Sequence, residues 1–397
     1  MEAPNVPEGY DPFVPTPDPF TPQRTMAAEC PVHKVPGRPA VMVTGMEHAI
    51  AVLRDIDAFS SRSPRPRPGD LGTSLIHLDG PEHARQRKLV NRAFTPRSVA
   101  GMRARIETIA HELVDGFCER GSSDLVQDFS GPLPFVVMGE ALGIPVEDRD
   151  RFIHWADDAI AFTSHGEVAP TDAEFRAYIL RQIEERRTDP RDDLISQIVH
   201  ATEGDDRLSD AQLIAVVRLL IIAGIETTAN HIASLVRMLL ADRPLWDAVL
   251  ADRSLVPNAV EEALRLDPPL NWTPRLAVDR TELAGCPIDG GSMVLVGLAS
   301  ANRDPAVHAD PDRFDLYRPP PEGPAHLAFG NGVHYCLGAA LARLEGDVAL
   351  NVLLDRVPDL ALDPHWTFEP RGPQMMRGCK TLDVNFAPAA RRAGASV

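Results

Sequence analysis

The residues best placed to do chemistry lie in one stretch, FGNGVHYCLG, running from Phe329 to Gly338. Cys336 stands just before an amphipathic pattern that continues through Leu354, so its thiol sits at a predicted helix N-terminus. The helix dipole and nearby backbone N–H donors lower a thiol's pKa there, which is the condition for a thiolate that binds a metal. Gly330, Gly332 and Gly338 let the backbone curl around the sulfur. Gly338 with Ala339 and Ala340 keeps the adjoining helix face nearly bare, so a flat ligand has room to approach. Phe329 is placed to shield the thiolate from water. The same residues leave other readings open: a small buried hydrophobe, a zinc ligand with His334, or a nucleophile beside a histidine.

A second chemical constellation is AGIETT, Ala223 to Thr228, in the middle of a long apolar helix pattern. A mid-helix glycine costs about 1 kcal/mol relative to alanine, and β-branched threonines add a little more, so a compensation is expected. Threonine hydroxyls compete for helix carbonyls and a glycine removes bulk, which together predict a local widening beside a ligand. Glu226 and Thr227 place a carboxylate beside a hydroxyl, a pair suited to proton delivery. A satisfied buried polar pair is the alternative.

FGNGVHYCLG resembles the cytochrome P450 signature Phe-x-x-Gly-x-x-x-Cys-x-Gly, with each fixed position present at Phe329, Gly332, Cys336 and Gly338. Further motifs of that family follow in order over residues 79 to 338. AGIETT matches its acid-alcohol pair, with Glu226 as the acid. Glu262 and Arg265 match its Glu-x-x-Arg motif, and Arg318 would be their partner in a structural ion-pair triad. The resemblance implies a bacterial-type haem-thiolate monooxygenase carrying haem b, with Cys336 as the axial ligand and Glu226 and Thr227 as catalytic residues. His83 and Arg87, an i, i+4 pair, together with Arg275 and His334, would neutralise the haem propionates, while Phe329 and Gly338 would pack on the cofactor.

The implied reaction inserts one oxygen atom from O2 into a small, largely apolar organic substrate, with C–H hydroxylation the expected outcome. A peroxide-driven peroxygenase and a non-catalytic haem sensor are the alternatives. By resemblance the substrate is lined by the loop from Arg62 to Ile76, the helices around residues 150 to 185, Ala223, Trp272 and Met376. No flavin or NADPH fingerprint follows Cys336, so electrons are expected from a separate ferredoxin and its reductase. From His83 to Arg105 there are seven Lys or Arg and no acid, in a chain of net charge -17. That contrast suggests ferredoxin docking near Arg85, Lys88 and Arg92, with a solvated helix face as the alternative.

The elements that must position these residues read as mostly α with small β-sheets, in a single domain spanning 1–397. The expected fold is that of cytochrome P450, with a long central helix crossing the haem site. Ser209 and Gln212 form a capping box that starts this helix, and Pro244 is expected to stop it, giving a span from Ser209 to Arg243. Further helix patterns cover Ser98 to Phe117, Arg149 to Phe162, Asp172 to Arg187 and Asp193 to Thr202, and a strand pattern covers Ser292 to Leu298. Residues 1–22 hold seven prolines and are expected to run extended, with no signal-peptide pattern. The longest apolar run, Leu219 to Ile225, is far short of a membrane span. The negative charge argues against nucleic acid as a partner. Five scattered cysteines without a CxxC pair argue against a disulfide framework. A cytoplasmic monomer that binds no membrane is expected.

Overall fold

The computed structural model describes residues 2–62, 74–145, 148, 151, 155, 171–202 and 206–392. Helices make up about half of the chain and the sheets are small, as the patterns predicted. Contacts divide the chain into two compact units, each built from separated segments. One comprises Met1–Ser60, Arg103–Leu133 and Thr227–Val397, and the other Ser61–Met102 and Pro134–Glu226.

The first unit holds a five-stranded sheet of β1 (Val32–Lys34), β2 (Ala40–Val43), β3 (Phe59–Ser60), β5 (Trp272–Ala277) and β8 (Met293–Gly297), ordered β1-β2-β8-β5-β3. β2 and β8 pair in parallel with Val41 opposite Val294, and the other pairs are antiparallel. The sequences AVMV and MVLVG are almost wholly buried, as strands covered on both faces must be. A three-stranded sheet joins β4 (Ser122–Asp124), β10 (Asp383–Asn385) and β9 (Ala361–Leu362), and β6 (Thr281–Leu283) pairs with β7 (Cys286–Ile288) in a hairpin.

The proline-rich N-terminal segment is pinned to this unit by backbone and side-chain bonds. Val6 N–H donates to the Lys34 carbonyl (2.9 Å), and the Trp272 indole donates to the Pro12 carbonyl (3.0 Å). Arg377 donates to the carbonyls of Thr16 (3.3 Å) and Pro17 (3.0 Å), after which Phe20–Glu29 is helical. Helix Ala339–Arg356, which follows the cysteine loop, packs on helices Arg103–Asp115 and Val256–Leu266 of the same unit.

The second unit is helical, with Gly80–Asn91, Pro96–Gly101, Asp172–Thr188 and Leu194–Val199. Arg186 is fully buried there, donating to Asp193 (2.9 Å) and the Gly143 carbonyl (2.9 Å) and bonding Gln182. The pattern from Ser98 to Phe117 resolves into two helices, Pro96–Gly101 and Arg103–Asp115, the first capped by the Thr95 hydroxyl on Ser98 N–H (3.1 Å). The pattern from Arg149 to Phe162 lies almost entirely outside the described residues.

Helix Asp210–Ala241 is the longest element. Its capping box is formed: Ser209 N–H donates to Gln212 Oε1 (2.9 Å) and Gln212 N–H to Ser209 Oγ (3.4 Å). Two expectations change at its ends and middle. The helix stops at Ala241, and Pro244 opens the next helix, Arg243–Ala251, where a first-turn proline loses no hydrogen bond. Its apolar character also exceeds what the uninterrupted run suggested: an 18-residue window of mean hydropathy 1.7 is long and apolar enough to cross a bilayer, and 61% of it is buried in protein.

Candidate functional site: the cysteine loop and the acid-alcohol helix

The cysteine loop is built by backbone hydrogen bonds. Gly330 N–H donates to the Leu327 carbonyl (2.8 Å), Tyr335 N–H to that of Gly332 (3.1 Å) and Cys336 N–H to that of Phe329 (2.9 Å). Gly330 and Gly332 sit at φ +70° and +73°, the left-handed region that glycine adopts without strain. A Cβ on Gly332 would also stand 2.7 Å from the Leu53 carbonyl oxygen, so this glycine lets the loop lie against the end of helix Met46–Arg54. Asn331 accepts a hydrogen bond from Arg54 Nε (2.8 Å) at the same contact.

The loop ends at Cys336, just ahead of the helix whose N-cap is Gly338. Of the small residues after it, Ala339 is buried and Ala340 is exposed. Among the described residues nothing lies within 4 Å of where a Gly338 Cβ would be. A soft thiol at a helix N-terminus, beside a face stripped of side-chain bulk, fits a flat, metal-bearing macrocycle.

Behind the loop lies a charged network that the motifs did not reveal. Arg343 donates to both carboxylate oxygens of Glu261 (2.6 and 3.0 Å) and stacks over the Phe329 ring at 4.5 Å. The His326 ring lies 3.2 Å from the same carboxylate and 5.8 Å from Phe329. Burial works to raise the Glu261 pKa, but the bonds from His326 and Arg343 outweigh it and hold the carboxyl at about 2. Phe329 is therefore fixed by a cation on its face as well as by the backbone. The available signal was the doubled acid Glu261-Glu262: only the second residue was assigned a partner, while Arg343, one turn into the helix after the cysteine, was left over.

Glu262 binds the neighbouring pair. It accepts from Arg265 (2.7 and 2.8 Å) and from Arg318 Nε (2.9 Å), and Arg265 also donates to the carbonyls of Asn302, Pro311 and Arg313. Glu262 and Arg265 are buried, so this is no surface pair. Arg275 is buried on β5 and donates to the Pro274 carbonyl (2.8 Å), while His334 ends the short 3₁₀ turn Gly332–His334. These residues and Cys336 belong to the first unit. His83 and Arg87 belong to the second, on helix Gly80–Asn91, where His83 is buried and Arg87 Nε donates to Asn91 (3.0 Å).

In the long helix Glu226 is buried and Thr227 half-buried, next to a buried Thr228. Leu219, Ala223 and Thr227 form a less buried i, i+4, i+8 stripe, with Ala223 exposed. The helix runs without a break from Asp210 to Ala241, and a Cβ on Gly224 would meet the Met138 methyl of helix Pro132–Ala141. Close helix packing is therefore one reason for the glycine.

Two further expectations need revision. The Trp272 ring is buried against Phe13 (5.5 Å) with its N–H bonded to Pro12, so it braces the N-terminal segment and does not face a small molecule. Arg85 is neutralised by Glu82 (2.8 Å) and Asp206 (2.8 Å), which reduces the basic patch to its exposed neighbours Lys88 and Arg92, the latter bonded to the Thr202 carbonyl. Met376 is half-buried and bridges Leu270. The loop from Arg62 to Ile76 and the first of the helices around 150 to 185 fall largely outside the described residues, whereas the second is Asp172–Thr188.

Comparison with known proteins agrees with this arrangement. The family model described as Cytochrome P450 matches residues 24–175 and 159–357. Cytochrome P450 107B1 of Saccharopolyspora erythraea is 41% identical over 327 residues, which cover 80% of this chain and 79% of that protein. The cytochrome P450 monooxygenase PikC of Streptomyces venezuelae is 37% identical over 397 residues, covering 95% of this chain and 94% of the other. The crystal structure of substrate-free CYP109E1 from Bacillus megaterium superposes with a TM-score of 0.88 at 33% identity, covering 94% of this chain and 99% of that one. The chain is therefore a member of the cytochrome P450 family, a monooxygenase that carries haem b.

Proposed function

We propose that this monooxygenase hydroxylates C–H bonds of a small, largely apolar substrate, with electrons from a separate ferredoxin and reductase, in the cytoplasm and as a monomer. The observation that carries the reading is the glycine-shaped loop that sets Cys336 just ahead of a helix N-terminus, beside the bare face at Gly338. Cys336 is the proposed iron ligand, Phe329 and Gly338 are packing positions, and His83, Arg87, Arg275 and His334 are the proposed propionate partners. When bound, haem supplies iron-centred activation of O2, and a thiolate ligand donates electron density that favours O–O cleavage.

The chain's own groups do the rest. Phe329, held by Arg343, shelters the thiolate from water, and the loop N–H groups and the helix dipole favour its charge. Glu226 holds a proton at its carboxyl and Thr227 passes one from its hydroxyl. Ala223 and Met376 are proposed to touch substrate, and Lys88 and Arg92 to meet an acidic ferredoxin.

The reduced carbon monoxide complex tests the ligand: a red-shifted Soret band is expected, and a histidine-type position would overturn thiolate ligation by Cys336. Thr227→Ala is expected to keep that spectrum and raise electron consumption per product several-fold; unchanged coupling would remove Thr227 from the proton path.

A further inference from the structure

Cys30 and Cys286 are 256 positions apart in the chain, yet their sulfurs lie 3.7 Å from one another. Both belong to the same compact unit and to one apolar cluster with Val32, Val43 and Ile288. Cys30 caps the C-terminus of helix Phe20–Glu29 with extended backbone and leads directly into β1. Cys286 opens β7, opposite Leu283 across the tight turn at Ala284 and Gly285. None of the residues assigned to the haem or to proton delivery is involved, so the pair has no part in the proposed reaction.

We propose that Cys30 and Cys286 are a site of reversible oxidative modification, forming a disulfide that ties the N-terminal segment to the β6-β7 hairpin. The two thiols are already in van der Waals contact at 3.7 Å, and a disulfide requires the sulfurs to close to about 2.05 Å. Their accessibility differs, which sets the order of events. Cys30 is half-buried and meets oxidant first, while Cys286 is about 1% exposed and waits behind it. Burial, followed by the neighbouring Cys30, raises the Cys286 thiol pKa, which suits it to wait as a protonated thiol.

The oxidant is hydrogen peroxide, the two-electron reduction product of the O2 that the enzyme uses. The Cys30 sulfur attacks peroxide, the O–O bond breaks, and sulfenic acid and one water form. The Cys286 sulfur then attacks the Cys30 sulfur. The S–S bond forms as the S–O bond breaks, and hydroxide leaves with the Cys286 proton as a second water. Two thiols and one peroxide give one disulfide and two waters, and a dithiol reductant reverses the change. The closed loop is very long, so the cross-link removes much entropy from the unfolded chain.

The test uses the intact haem protein, exposed to peroxide, alkylated and mapped by peptide mass spectrometry, with apparent Tm measured alongside. The expected result is a Cys30–Cys286 linked peptide lighter by two hydrogens, a Tm raised by several degrees, and loss of both with dithiothreitol. In Cys286→Ala the oxidation should stop at a Cys30 sulfenic acid that dimedone traps, with no rise in Tm, and Cys30→Ser should abolish both products. Recovery of both cysteines as alkylated thiols, or of Cys30 as sulfinic acid in the unsubstituted protein, overturns the proposal.

Discussion

Two glycines in the cysteine loop make opposite demands on a methyl group. At Gly332 an alanine meets positive φ and the Leu53 carbonyl, so Gly332→Ala is expected to destabilise the fold by about 1–3 kcal/mol, read by denaturant unfolding. At Gly338 nothing among the described residues opposes the methyl, so Gly338→Ala is expected to keep its unfolding midpoint while losing haem, read as the ratio of Soret to protein absorbance. Two buried groups set the pH limits. The Glu345 carboxyl, which burial raises to about 8 from an ordinary 4.5, stays protonated in the native state while the unfolded chain gives up its proton. Stability from this group therefore falls as pH rises from about 4.5 to 8, by about 1 kcal/mol per pH unit, and Glu345→Gln should flatten that alkaline limb. Burial lowers His231 to about 4, so its contribution is full above about 6.5 and is lost as pH falls from there, and His231→Leu should flatten the acid limb. Thermal unfolding across that range checks both. Neither group was legible in the sequence, because a lone Glu or His within an apolar helix does not show which neighbours will exclude water from it. Cys336, by contrast, was legible because the glycines that shape its loop are adjacent to it in the chain.

At the scale of elements, starts and periods were readable and reasons for particular residues were not. The capping box at Ser209 and Gln212 formed as expected, being a local device whose partners lie within one turn. The packing at Gly224 was not readable because the atom that needs its space belongs to Met138, 86 residues away in the chain (224 minus 138). Only a flexible methyl terminus opposes a new Cβ there, while alanine gains about 1 kcal/mol of helix propensity over glycine. Gly224→Ala is accordingly expected to leave stability within about 1 kcal/mol of the original, as measured by denaturant midpoint. Pro244 was misplaced for a related reason: a proline marks a boundary, and the sequence alone does not say whether it ends one helix or begins the next.

For the whole molecule, the net charge of -17 makes the positions of its cations decisive for meeting an acidic electron donor. Lys88→Glu is accordingly expected to lower the second-order rate of reduction several-fold and to weaken its dependence on salt. Stopped-flow reduction at two ionic strengths measures both effects. The fold class was legible because helix periods and the ordered motifs span most of the chain, but the anchoring of the N-terminal segment was not, since Trp272 and Arg377 lie 260 and 361 positions from the carbonyls they bond. That anchoring has a consequence for synthesis. Arg377 grips the Thr16 carbonyl across 361 residues, and β2 pairs with β8 from the far side of the sequence. The segment around Thr16 thus waits for the synthesis of Arg377 before it finds this partner, and a chain growing at about 5–20 residues per second leaves it exposed for tens of seconds. Overproduction is therefore expected to be limited by nascent-chain protection, with slower translation or added chaperone raising the soluble yield.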